Sequence, residues 1–409
     1  MTATPMRVLA VGSMYPPHYL GGQEIIWRHA TLHQRDAGHE VRVLTTGYRR
    51  DGVPEGSELD DDVHRELRWY WHDHGWPELG LRGQLELERH NARVLDRHLA
   101  ELEPDAVLWW AMGGMSLSLV ERVRRAGIPA LGMACDDWML YGPDRDRWTR
   151  RFAGRPGLAR LGELAGIPTR FHPGPSARWL FLSEYSRRRA LTRWELPDSG
   201  VAHAGVDGGR FPTAPERPWA WRLAYIGRLD PRKGIDIAVR ALPLLPAEAH
   251  LAIVGGGDEG HRRELEGLVD QLGLRERVSF SERPHAELAA AYADADALLF
   301  PVTWEEPWGL VPLEAMAVGR PVVATGRGGS GEYLADGENC LVFDPDQGPE
   351  AVAAAIHRMA SDDALRARLR AGGLATARRL GERACNDALL AELETMARTR
   401  RPGVDNAAA

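Results

Sequence analysis

The chain has 409 residues, 44% of them hydrophobic and 27% charged, with a formal net charge of −7. That length exceeds what one hydrophobic core usually supports, so a globular protein of two domains is expected. The acidic balance argues against nucleic acid as a main partner, because neutralising phosphates requires a basic face. No run of 18 apolar residues suggests a membrane span, and the N-terminus lacks a charged-then-apolar signal pattern. Cys135, Cys340 and Cys385 are odd in number and far apart, which fits a reduced cytoplasm without a disulfide framework or a zinc site built on thiols.

In chain order, "RVLAVGS" (Arg7–Ser13) is a short apolar run of parallel-strand type. A Pro/Gly loop follows, then the amphipathic "QEIIWRHATLHQRDAG", which should be a helix stopped by Gly38, then the strand "HEVRVLTT". "DAVLWWA", "IPALGMACDD" and "RWLFLSE" continue the pattern. The helix around "SRRRALTR" (Ser186–Arg193) offers a solvated basic face, or a weak peripheral contact with an anionic membrane surface. "VDGGRFPTAPERPW" reads as a linker, after which the grammar restarts with "RLAYIGRL", "HLAIVGGG", "RVSFS", "ALLFPVT", "PVVATG" and "CLVFD". Such alternation implies parallel sheets covered by helices on both faces. The expectation is α/β: an N-terminal Rossmann-like domain over 1–205, a linker at 206–217 and a second such domain over 218–360. A helical segment at 361–401 and a frayed tail at 402–409 complete the chain, with a cleft between the two domains.

Two stretches carry chemistry. In "YIGRLDPRKGID" (Tyr225–Asp236), Lys233 is the sole lysine among 51 Lys plus Arg residues, and it follows Arg228 by five positions. The preference for arginine fits a GC-rich coding background. In "PVTWEEPWGLVPLEAMAVGRPVVATGRGGSGEYL" (Pro301–Leu334), Glu306 and Glu314 are separated by seven residues, with a helix expected to open near Pro312. The amides of Gly309, Leu310 and Val311 then lie at the positive end of that helix, which suits an anion, a phosphate above all. A carboxylate beside them can accept hydrogen bonds from paired hydroxyls of a ribose or hexose. "GGGDE" (Gly255–Glu259) reads as a tight strand-to-helix turn. The aspartate pairs in "DRD" (Asp144–Asp146) and "DAD" (Asp294–Asp296) are weak metal motifs.

These pieces together, with "GGQE", "GHEVRVLT", "AGVDGGRF" and "LEAMAVGRPVVAT", resemble a retaining glycosyltransferase of family four, the glycosyl transferases group 1, with the GT-B fold. The resemblance implies a nucleotide-diphosphate sugar as co-substrate, a hydroxyl acceptor, no cofactor and no required metal. Arg228 and Lys233 would hold the diphosphate; a compact ammonium fits between phosphate oxygens where a planar guanidinium is bulkier. Glu314 would accept the ribose hydroxyls, Glu306 would meet the transferred sugar, and Asp258 in "GGGDE" would lie near the nucleotide unless that loop is only a turn. Gly309, Leu310 and Val311 would donate amides to sugar or phosphate, and Gly21 and Gly22 would let backbone approach the donor.

Many relatives carry a histidine facing the sugar in the N-terminal domain. Here the counterpart is "CDDWMLYGPD" (Cys135–Asp144), with Cys135 or Asp136 where the histidine would stand; Asp136 or Asp137 then positions the sugar or acceptor unless the "CDD" is merely structural. The aromatic "RWYWHDHGW" (Arg68–Trp76) and "VLWWAMGGM" (Val107–Met115) are either acceptor platforms or core. A related GT-B phosphorylase or epimerase, and a catalytically silent nucleotide-sugar binder, are the competing readings. Acceptor, donor base and sugar, and oligomeric state are not written in these motifs.

Overall fold

A computed structural model describes residues 4–54, 56–71, 75–164 and 166–400. The chain divides into two compact units: the first runs to Ala202 and resumes at Asn386, and the second is His203–Cys385.

The first unit is built on seven parallel strands, β1 (Arg7–Val11), β2 (Glu40–Thr46), β3 (Val63–Leu67), β4 (Ala106–Trp109), β5 (Ala130–Ala134), β6 (Arg178–Phe181) and β7 (Ser199–Val201). Their order across the sheet is β3-β2-β1-β4-β5-β6-β7. Strands covered on both faces read as continuous apolar runs, and β4 and β5 are buried at every position. The two edge strands are the ones the apolar pattern misses. β3 is "VHREL", half-exposed and charged, and β7 is only "SGV", because edges tolerate or require polar side chains. Trp109, Trp138, Trp179 and Phe181 fill the core, so the "VLWW" run serves packing, with Trp110 buried as well.

The second unit holds six parallel strands, β8 (Arg222–Ile226), β9 (His250–Val254), β10 (Val278–Ser281), β11 (Ala297–Phe300), β12 (Val322–Ala324) and β13 (Leu341–Val342). Their order is β10-β9-β8-β11-β12-β13. In each sheet the first strand lies between the second and the fourth, so connections leave to opposite faces on either side of it. The carboxyl ends of β1 and β4, and of β8 and β11, are therefore topological switch points, where open α/β sheets bind ligands.

The unit boundaries differ from those read off the sequence. Residues 206–217 pack within the second unit: Val206 bridges Gly381, and the Ala214 N–H donates to Val318 O at 3.0 Å. The helix Asp363–Arg379 also belongs there, with Arg370 donating to the carbonyls of Gly319 and Ala214, both at 2.6 Å. The last helix, Glu382–Arg400, passes into the first unit, where Glu392 pairs with Arg178 at 2.8 Å and Asp387 with His33 at 2.8 Å. Pro- and Gly-rich composition marked the linker, but backbone pairing decides where it packs. The expected tail at 402–409 lies outside the described residues. No helix among the described residues is long and apolar enough to cross a membrane.

Candidate functional site

The loop after β8 is shaped by glycine. A Cβ on Gly255 would stand 2.0 Å from Gly227 O, and one on Gly257 2.6 Å from Leu229 O, so the "GGGDE" and "GRL" loops touch backbone to backbone. Asp230 then caps a single 3-10 turn, Pro231–Lys233, by accepting the Arg232 N–H at 3.0 Å. Gly234 ends it at φ +64, and a Cβ there would lie 2.0 Å from Pro301 O. Only glycine satisfies both demands. The contact presses the Lys233 turn onto the chain leaving β11, and the Thr303 N–H donates to Arg232 O at 2.9 Å.

Lys233 Nζ consequently sits 2.6 Å from Glu306 Oε2. The Trp304 indole N–H donates to the same oxygen at 2.9 Å, while the Lys233 ammonium and the Arg232 guanidinium lie 5.5 and 4.5 Å from the Trp304 ring centre. Glu306 Oε2 thus takes two donors. The backbone of Glu306 is held from behind by the "GRGGSG" loop. A Cβ on Gly328 (φ +69) would meet Glu306 O at 2.3 Å, and the Gly329 N–H donates to that carbonyl at 2.7 Å. Arg228 is about half-exposed, with Nη2 3.4 Å from Asp230 Oδ2. Asp230, bonded to Arg232 and close to Arg228, is held down at about 2.

The helix of the glutamate block opens earlier than Pro312. It runs Leu310–Val318, with Gly309 as its cap at φ +82, ψ +97, so Gly rather than Pro marks the start. Its first N–H groups have no intrahelical acceptors by geometry, and Pro312 contributes none. Glu314 accordingly falls in the second turn. It is buried, accepts the Tyr292 hydroxyl at 2.5 Å, and its Oε1 lies 3.8 Å from His285 Nε2. Burial and the Glu314 charge push the Tyr292 hydroxyl well above its ordinary value, so it stays a donor. Trp308 is buried between His203 (4.5 Å between ring centres) and Tyr333 (5.0 Å), its N–H on Ala204 O at 2.8 Å; it packs. Tyr333 in turn donates to Gly309 O at 2.5 Å.

Arg228, Lys233, Glu306, the Gly309–Val311 amides and Glu314 therefore gather where β8 and β11 end. Tyr292, Trp304, Tyr333 and Gly328 join them without having been singled out, since each acts through a contact distant in sequence. Asp258 has a local occupation, capping the helix Glu259–Gln271 by accepting the His261 N–H at 2.6 Å. The aspartate motifs are also engaged. Asp146 is buried and accepts the N–H groups of Leu117, Trp148 and Thr149, while Asp144 pairs with Arg193 at 2.8 Å. Asp296 accepts from Ala220 and Arg222, both N–H groups at 2.9 Å.

At the switch point of the first unit the chemistry differs. Gly21 caps the helix Gly22–Asp36 in an extended conformation that needs no glycine, and its N–H donates to Glu24 Oε2 at 3.0 Å. Glu24 is buried, which raises its carboxyl to about 7. Asp136 follows β5, accepts the Tyr141 hydroxyl at 2.8 Å and the Trp138 N–H at 3.2 Å, and is raised by burial to about 6. Gly113 is the other wall, since a Cβ there would lie 2.1 Å from Tyr141 Oη. Asp137 is occupied by Arg189 at 2.7 Å and Cys135 is buried, which leaves Asp136 as the carboxyl without a cation.

Against known proteins, residues 216–375 match the family described as glycosyl transferases group 1. The D-inositol 3-phosphate glycosyltransferase of Xylanimonas cellulosilytica is 38% identical over 185 residues, 44% of this chain and 43% of that one. The chain spans about half the length of the first curated relatives it matches, 43%, 54% and 47%. Among solved structures, sucrose-phosphate synthase from Thermosynechococcus elongatus superposes with a TM-score of 0.72 at 22% identity, over 97% of this chain and 100% of that one. Anabaena HepE in complex with UDP and glucose gives 0.71 at 21%, over 95% and 100%. The fold class is GT-B, two Rossmann-like α/β units.

Proposed function

Because residues 216–375 match the family described as glycosyl transferases group 1, we propose that the chain transfers a sugar from a nucleotide-diphosphate sugar to a hydroxyl acceptor, with retention and without a catalytic metal. The observation that carries the reading is the meeting of Lys233 with Glu306 at 2.6 Å beside the Gly309–Val311 amides. An ammonium and helix-terminal amides suit a diphosphate, and a carboxylate with one oxygen left over suits a sugar hydroxyl. Diphosphate binding draws Lys233 from Glu306 toward phosphate, with Arg228 as the second cation. Glu314, oriented by Tyr292, accepts from the ribose.

As the bond from the anomeric carbon to the diphosphate oxygen breaks, the electron pair goes to the diphosphate, where fixed cations and amides stabilise it. The acceptor hydroxyl attacks the anomeric carbon from the leaving-group face and gives its proton to a diphosphate oxygen. Asp136 and Tyr141, in the first unit, orient the hydroxyls of sugar or acceptor. The relatives act on inositol phosphate by name and HepE holds UDP and glucose, so hexose donors and polyol or glycan acceptors are the first to try. The test is turnover of nucleotide sugars with those acceptors in excess chelator, with the product's anomeric configuration read by NMR. Inversion, or strict dependence on magnesium or manganese, refutes the proposal. Donor binding without nucleotide release supports a silent binder instead.

A further inference from the structure

β3 brings its alternate residues His64 and Glu66 to one face, and the helix Leu81–Leu102 lies against that face, with His90 Nε2 2.8 Å from Glu66 O. The same helix contributes His98, buried, its ring 4.7 Å from the His64 ring. Glu66 Oε1 is 3.3 Å from His64 Nδ1 and 3.4 Å from His98 Nε2, and all three atoms lie within 4.8 Å of one another. Ligand atoms bound at 2.0–2.1 Å to a tetrahedral zinc stand about 3.4 Å apart, so two of the three edges already have that length.

The surroundings orient these atoms. His64 Nε2 lies 2.7 Å from Asp62 Oδ1, so its N–H is directed to a carboxylate and the Nδ1 lone pair faces Glu66 Oε1. Two electron-rich atoms at 3.3 Å repel unless a cation sits between them. A carboxylate on the far nitrogen is also the usual outer partner of a ligating histidine. Arg97 bonds Glu66 Oε2, which leaves Oε1 for an ion. We infer that His64, Glu66 and His98 bind one divalent cation of zinc type, tying edge strand β3 to the helix Leu81–Leu102. Two imidazoles and one carboxylate, with no thiolate, favour zinc over magnesium or calcium.

Arg42 Nη1 stands 3.5 Å from His98 Nδ1, and Arg97 is the nearer obstacle, since its Nη2 lies 3.3 Å from His98 Nε2. It is also half-exposed and already 3.7 Å from Glu101, to which it swings when the ion enters. β3 continues into Trp69 and Trp71, which cluster with Tyr48, so the ion steadies that aromatic segment. The role is structural and independent of sugar transfer.

The test is calorimetric titration of the full, chelator-treated chain with zinc chloride, beside thermal melts with and without zinc. One equivalent should bind and raise Tm in the wild type, and cobalt should give the strong visible bands of tetrahedral coordination. His64→Asn and Glu66→Gln, both at half-exposed positions, should each weaken binding at least tenfold and abolish the Tm rise. Arg97→Gln should tighten binding by removing the competing cation. Absence of saturable binding in the wild type, or equal affinity in His64→Asn, overturns the site and leaves a proton on His64 as the charge between the two carboxylates.

Discussion

The two switch points of this protein stand at the same place in two similar sheets and are furnished oppositely. Where β8 and β11 end, Lys233 pairs with Glu306 and Arg228 and Arg232 pair with Asp230, backed by helix-terminal amides, and glycines forced by φ and by contact fix the loops. Around the β1/β4 switch point, the buried Glu24 and the half-buried Asp136, which follows β5, have no ion pair among the described residues and are raised toward neutrality, and Gly21 is extended. The second unit presents charge suited to a bound anion at any physiological pH. The first presents groups whose protonation changes near pH 6 to 7. Shared topology thus says where chemistry occurs, and the residues on each loop decide which.

The largest break should come from the cations. Lys233→Ala and Arg228→Ala should each lower turnover at least ~100-fold, the scale for losing a preorganised charge stabiliser, without unfolding the chain. Lys233→Arg should also be impaired, because a planar guanidinium is bulkier and fixed in direction where a compact ammonium fits between phosphate oxygens. Initial-rate kinetics on each variant, with melting curves as the folding control, check this. Glu306→Gln sharpens it: turnover should drop while affinity for the free nucleoside diphosphate holds or rises, as Lys233 loses its competing partner. Weaker nucleotide binding in Glu306→Gln would contradict the division of roles.

Next, Glu314→Ala should weaken nucleoside diphosphate binding by about 1.5–3 kcal/mol, the cost of a hydrogen bond to a charged group, measured by calorimetry. In the first unit the effect is on pH. If ionised Asp136 serves transfer, turnover should rise with pH through about 6. Tyr141→Phe should move that limb upward, because the lost hydroxyl favours the charged form; nucleoside diphosphate affinity should not change. The smallest effect belongs to Glu24. Its folded carboxyl, about 7 against 4.5 unfolded, keeps a proton the unfolded chain has lost. Stability therefore falls as pH rises from about 4.5 to 7. Glu24→Gln should flatten that slope in melts taken across the range.

Much of the second site was legible because its demands are local. Gly234, Lys233, Glu306 and Gly309 lie in loops whose residue types are dictated by φ, by helix-terminal amides and by charge. The helix start was misplaced by two residues because Pro312 is tolerated inside a first turn while Gly309, at positive φ, is the actual N-terminal cap. Tyr292 on Glu314, Trp304 on Glu306 and Gly328 behind Glu306 were not legible, as each matters through an atom on another segment. β3 and β7 were hidden for a related reason: an edge strand has one partner, so apolar content no longer announces it. Asp136 was visible as a departure from the family pattern, but the Tyr141 contact that distinguishes it from Asp137 is a tertiary fact.

The last helix, paired through Asp387, Glu392 and Glu394 with His33, Arg178 and His39, makes the first unit discontinuous along the chain. Synthesis on the ribosome then reverses the usual order. The first unit waits, lacking its closing helix, until the whole of the second has emerged, while the second is contiguous and can fold as soon as it clears the tunnel. The earlier-made half is the later-finished one. During that interval His33, Arg178 and His39 lack these partners.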